Sequence, residues 1–295
     1  NSMVSSPLSR RMIDLTVLIN DKAVLADQLE LLVLFSGRSH LSRHELSSLA
    51  SDHWGADSVQ ISFALEEIRQ RRAILGHKYP IDVKTSFLAR EGRSDVYECL
   101  LALTRSNFFD AQQLGLTEPD TKLLETIVEQ CVSQFFGPGT SVANFGYPSG
   151  IGRPAEFPQA ISWLAEQMQL SLGTAYRQPR RKDGGVDVVV WRSFPDRKAG
   201  IPVMLVQVTL QQDFVSKARD IDRRIWSGWL AMDTDPLVAL AIPGTVSGTE
   251  AWNEVSRNCL LLDRLRLTDL ADSVPLDNAY PALTNSIRAL LGDFD

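Results

Sequence analysis

Apolar positions in residues 23–36, AVLADQLELLVLFS, recur at helical spacing and predict a helix there. The next stretch, LSRHELSSLASDHW (41–54), opens with Ser42 three residues before Glu45, the arrangement in which each side chain caps the other's backbone amide. A third helical pattern covers 58–75, after which KYPIDVKTSFLARE (78–91) turns extended, as a strand or hairpin. DVYECLLALTRSNFF (95–109) reads as a further apolar helix. DAQQLGLTEPD (110–120) is weakly patterned, with a proline where a new helix would start, and places a domain boundary that divides the chain into 1–110 and 111–295.

The second segment opens on a helix over 118–136, with Leu124, Ile127, Cys131 and Phe135 at core spacing. A glycine- and proline-rich stretch (137–154) reads as a loop, and 156–172 as an amphipathic helix. GVDVVVWRS (185–193) and IPVMLVQVTL (201–210), joined by FPDRKAG, predict an antiparallel hairpin. Residues 213–232 predict one helix, with Asp213 as its N-cap and Phe214, Ala218, Ile221, Ile225 and Trp229 on one face. PLVALAIP (236–243) is a buried strand, parallel to its predecessor through the helical crossover. The expected fold class is α/β, helices on both faces of a mixed sheet, preceded by a small, mainly helical domain resembling a winged helix.

With 295 residues and 44% hydrophobic content the chain can bury two ordinary cores. Its longest apolar runs, LELLVLF (29–35) and DPLVALAIP (235–243), fall far short of the roughly 20 residues that cross a bilayer, so no membrane partner and a cytoplasmic location are expected. Cys99, Cys131 and Cys259 are odd in number and set among apolar neighbours, which suits buried thiols. His40 and His44 could share a helix face, but without a second ligand cluster zinc is disfavoured against a solvated or capping role.

The net charge of −6 argues against a uniformly cationic surface, yet between 177 and 198 Arg177, Arg180, Arg181, Lys182, Arg192, Arg197 and Lys198 outnumber Asp183, Asp187 and Asp196. Either a phosphate-facing patch or a solvated loop follows, and Arg180, Arg181 and Lys182 are the candidate nucleic-acid contacts. In the winged-helix reading the third helix, carrying Arg69, Arg71 and Arg72, is the one offered to DNA. Glu66 and Glu67 on that helix keep a protein-docking role open.

The chemistry concentrates on the hairpin. Alternation puts Gln207 and Thr209 on one face of an otherwise apolar strand, and a buried amide without partners costs about 1–3 kcal/mol. Asp187 in GVDVVVW poses the same problem with a carboxylate. A hard divalent cation accepts both oxygen types at once. Plainer roles remain for each: Asp183 with Gly184 and Gly185 as a turn, Asp187 as a strand cap, Gln207 bridging backbone groups, Glu125 as a solvated helix residue, and Trp226 and Trp229 as core.

DGGVD entering a strand, a short turn, then an apolar strand with Q-x-polar, preceded by a helix bearing a glutamate, resembles the Mrr-like branch of the PD-(D/E)XK restriction endonuclease-like superfamily. The resemblance spans about 118–245 and implies a restriction-endonuclease-like α/β/α core with Asp187, Gln207 and Glu125 as the metal ligands. It departs at Thr209, which stands where that branch has the lysine that assists the attacking water. Lys217, on the following helix, and then Lys182 are the candidate substitutes, although Lys217 could instead pair with Asp213 or Asp220.

The implied activity is Mg²⁺- or Mn²⁺-dependent endonuclease hydrolysis of duplex DNA, in a restriction or anti-phage defence setting with protein partners or self-association. The alternative is a catalytically silent nuclease fold kept as a DNA-binding or scaffolding module, and RNA also stays open as a substrate. No P-loop, dinucleotide fingerprint or nucleophile elbow is present.

Overall fold

The computed structural model describes residues 15–104, 118–148, 152–198, 200–211, 213–271, 274–276 and 279–291. The first segment forms helices α1 (Leu15–Phe35), α2 (Arg43–Trp54), α3 (Ser58–Leu75) and α4 (Asp95–Leu103). Strands β1 (His40–Ser42), β2 (Ile81–Val83) and β3 (Phe87–Arg90) make an antiparallel sheet of order β1-β3-β2. Local chemistry explains the helix starts: Ser42 and Glu45 cap each other's amides at α2, and Asp57 and Gln60 do so at α3. The expected boundary at 110 falls outside the described residues.

The second segment contributes α5 (Glu118–Phe136), β4 (Thr140–Asn144), α6 (Phe157–Met168), β5 (Val188–Arg192), β6 (Val203–Val208), α7 (Arg223–Trp229), β7 (Leu237–Ala241), α8 (Thr249–Ser256), β8 (Leu260–Leu262), α9 (Arg264–Leu270) and α10 (Ala279–Leu291). Its sheet runs β4-β5-β6-β7-β8, with β4, β5 and β6 antiparallel and β6, β7 and β8 parallel. The α/β class and the mixed sheet agree with the sequence pattern.

Two expectations are corrected. The stretch 137–154 is not all loop, because Thr140–Asn144 pairs with β5 as an edge strand. Residues 213–232 are not one helix: a 3₁₀ turn over Val215–Arg219 precedes α7, and Asp222, not Asp213, is the N-cap, its carboxylate accepting from the amides of Arg224 and Ile225.

Alternate residues of each central strand face opposite layers. Val188, Val190, Met204, Val206, Ala239 and Ala241 join the core of α1, α3, α4, α5, α9 and α10. Val189, Trp191, Val203, Leu205, Val238 and Leu240 join that of α6 and α7. The first core is continuous from Leu29 of α1 to Val206 of β6, so α1–α4 pack onto the sheet layer and share its apolar interior. Arg71, expected on an outward-facing helix with Arg69 and Arg72, is instead completely buried against Asp27 and Glu30 of α1.

The DGG turn is shaped by the same packing. Asp183 accepts from the Gly185 amide (2.7 Å), and Gly184 and Gly185 take φ of +64° and +80°. A Cβ on Gly184 would sit 2.9 Å from the Trp229 ring and 3.2 Å from that of Trp226, whose indole N–H donates to the Gly184 carbonyl. Both tryptophans are therefore core, and the glycines let the turn lie flat on them. Gly184→Ala is expected to lower the stability measured by urea unfolding by about 1–3 kcal/mol, since it combines a left-handed backbone with overpacking.

Candidate active site

The N-terminal mouth of β5, the C-terminal end of β4 and the C-terminal end of β6 meet at one end of the sheet. The backbone carbonyl of Asp187 accepts from the amides of Phe145 (2.7 Å) and Gly146 (3.0 Å), and its amide donates to Val206. Its side chain turns into the sheet, where Oδ2 accepts from the Val208 amide at 2.7 Å.

Glu125 reaches the same point from α5. A Cβ built on Gly146 would lie 3.2 Å from Asp187 Oδ1 and 3.6 Å from Glu125 Oε1, so the two carboxyl groups converge over a position kept clear of side chain. Glu125 is buried, and its Oε2 accepts from Lys122 Nζ (2.8 Å) and Asn144 Nδ2 (2.9 Å). Asn144 Nδ2 also donates to Glu129 Oε1 (3.0 Å), bringing a third carboxyl into the corner.

Three acids against one ammonium leave this corner short of positive charge. Burial, then Glu125 and Asp183, push the Asp187 carboxyl up to about 7, opposed by the Val208 amide and Lys122. Burial, with Glu125, also raises the Glu129 carboxyl, against the Asn144 hydrogen bond.

Gln207 is buried at the same end of the sheet but engages a different set. Its Nε2 donates to Asp220 Oδ2 (3.1 Å), which also meets Arg181 (2.8 Å) and, at 3.8 Å, Lys217 Nζ. Gln207 Oε1 is buried without a hydrogen-bond partner, as is Asn144 Oδ1. Thr209 is buried and its hydroxyl accepts from the Gln211 amide, a local turn contact.

The expected residues thus fall into two groups. Asp187 and Glu125 come together with Lys122, Asn144 and Glu129, whereas Gln207, Lys217 and Arg181 gather on Asp220. Gln207 makes no hydrogen bond to Asp187 or Glu125 among the described residues.

The donor chemistry suits a hard divalent cation: two carboxyl groups side by side, one of them pushed up to about 7 by its surroundings, and two amide oxygens left unpaired. No group of three or more His, Cys, Asp and Glu side chains is placed to hold a metal among the described residues, so amide oxygens and water would complete the shell.

Among the expected nucleic-acid contacts, Arg180 and Lys182 are exposed and without an acidic partner among the described residues, while Arg181 is partly neutralised by Asp220. Arg69 pairs with Glu66 on its own helix, and Arg72 is tied to the Tyr79 carbonyl and to Glu91. α3 also exposes Val59, Phe63 and Ile74.

Sequence reasoning passed over Lys122 and Asn144. Lys122 was recoverable, because a lysine three residues before a helical glutamate shares its face. Asn144 was hidden by the reading of its strand as loop. No helix is long and apolar enough to cross a membrane among the described residues. No family model, no curated protein and no solved structure matches the chain.

Proposed function

We propose that the protein is a metal-dependent nuclease hydrolysing phosphodiester bonds in DNA, with Asp187 and Glu125 as the principal metal-holding groups and the amide oxygen of Gln207 as a further donor. The observation that carries this reading is the convergence of the Asp187 and Glu125 carboxyls over Gly146. Sinking two acids beside each other is costly unless a cation compensates them. The resemblance of DGGVD and the strand-borne glutamine to the Mrr-like branch supports the same assignment and suggests the defence context.

A bound divalent cation would supply an activated water and charge for the phosphate. The chain's own residues do the rest. The Val208 amide fixes one Asp187 oxygen, and Asn144 and Lys122 fix Glu125, which orients both carboxyls before any ligand arrives. Lys122, one-third exposed on its side-chain surface, keeps its ammonium beside Glu125 and facing solvent, where it can meet a phosphate oxygen. It takes the role that Thr209 cannot fill; Lys217 lies 3.8 Å from Asp220 and forms no ion pair with Asp187 or Glu125 among the described residues.

On supercoiled plasmid with Mg²⁺ or Mn²⁺ the protein is expected to nick and linearise the DNA. Lys122→Met should reduce the rate by about a hundredfold, and Lys217→Met by less than about tenfold. The reverse ranking would return the role to Lys217.

The absence of a lysine at Thr209 favours a second reading, a silent module that binds DNA or protein partners. Failure to cut with either metal, alongside retained DNA binding, would select it.

A further inference from the structure

Tyr147 follows directly on Gly146, the residue over which the candidate carboxyls converge. It is 43% exposed, three residues past the end of β4. Two residues earlier, Phe145 is fully buried and packs edge-on against Phe157 and Trp226. The Lys182 ammonium lies 4.4 Å from the Tyr147 ring centroid and donates to its hydroxyl at 3.1 Å. Arg153 locks the two segments together, its guanidinium stacked 4.5 Å from the Phe145 centroid and donating to the Lys182 carbonyl (2.9 Å).

An aromatic ring held out into solvent beside a lysine that lacks an acidic partner is a poor stability device. It leaves 43% of its surface in water, and its cation–π contact is worth only about 0.5–1 kcal/mol at an exposed site. It is a good ligand for a nucleotide. The ring offers a face to a base, and the ammonium offers a charge to the adjoining phosphate. The cations continue along the chain through Arg181 and Arg180 to Arg177, where the backbone is tied down by the Trp229 indole N–H (2.7 Å), and Tyr176 beyond it is 56% exposed.

A base inside a duplex has both faces covered by its neighbours and cannot stack on a protein ring. We infer that Tyr147 and Lys182 form a platform for an unpaired base of single-stranded DNA beside the carboxyl pair, which would make unpaired DNA, rather than intact duplex, the preferred ligand. As a statement about substrate, this rests on the nuclease reading; as a statement about binding, it can be tested alone.

The test is fluorescence anisotropy in EDTA, using a short labelled oligonucleotide as single-stranded DNA, as blunt duplex and as RNA of the same sequence. Single-stranded DNA should bind more tightly than the other two. Tyr147→Leu should weaken single-strand binding by roughly tenfold and leave duplex binding unchanged, and Tyr147→Trp should restore it. Lys182→Gln should flatten the salt dependence of single-strand binding by about 0.7 in log–log slope.

Equal affinity for single strand and duplex, tighter binding of RNA, or a leucine that serves as well as tyrosine would each overturn the inference. A chain that binds single strands through Tyr147 in EDTA but cuts nothing when Mg²⁺ or Mn²⁺ is supplied keeps the platform and loses the nuclease reading. One that cuts plasmid but is indifferent to Tyr147 does the reverse.

Discussion

Asp187→Asn is expected to lose metal-dependent plasmid cleavage by about a thousandfold or more, and at the same time to make the metal-free protein more stable above neutral pH. The two effects have one cause. The Asp187 carboxyl is raised from 3.8 to about 7, first by burial and then by Glu125 and Asp183. As pH rises from about 4 the unfolded chain gives up this proton while the folded chain keeps it, so stability falls through that window. The penalty is complete above about pH 7, on the order of 2–4 kcal/mol after allowing for the partial exposure of the group.

Asparagine remains neutral and keeps an oxygen for the Val208 amide, so it removes the penalty together with the negative charge that a cation requires. Urea unfolding in EDTA should show the variant ahead of wild type at about pH 8 and level with it near pH 4. Mn²⁺ should raise the melting temperature of wild type and not of the variant. Cleavage that survives the substitution, or a stability difference that ignores pH, would remove Asp187 from the site.

Much of this site was legible because it violates local rules. A glutamine in the middle of VMLVQVTL and an aspartate opening VVVW have no place in an apolar sheet unless something engages them, and both sit at the same sheet end. What failed was anything decided by tertiary contact. TSVAN lies in a glycine- and proline-rich stretch that reads as loop, and it is seen as a strand only through its pairing with β5. The helix expected over 213–232 contains no proline or glycine at its break. It is interrupted where the Asp222 carboxylate caps a new start, and that choice is invisible without the packing of Trp226 and Trp229 beneath it.

Arg71 is the instructive case in α3. Ile61, Ala64, Leu65, Ile68 and Leu75 mark the buried stripe, and position 71 belongs to it, so its burial could have been read from periodicity. Its partners could not, because Asp27 lies 44 residues away in α1.

Those partners define the largest stability effect expected outside the site. Asp27 is buried where α1 meets the second segment, and Arg264, at the start of α9, donates to both of its oxygens at 2.8 and 2.7 Å. Arg71 donates to Asp27 and to the Thr245 hydroxyl, and it lies 2.9 Å from Glu30, which in turn accepts from the hydroxyls of Tyr79 and Tyr97. Burial works against the Asp27 charge, but the two guanidiniums outweigh it and hold the carboxyl below its usual range. Its contribution is therefore present above the ordinary carboxylate pKa and lost as pH falls below it.

Arg264→Met would leave Asp27 and Glu30 sharing Arg71, with one buried charge uncompensated, and should cost about 3–5 kcal/mol in urea unfolding. Asp27→Leu combined with Arg264→Met should recover most of that loss, because an apolar pair of similar volume needs no compensation. Additive losses in the double variant would show instead that the two residues act separately.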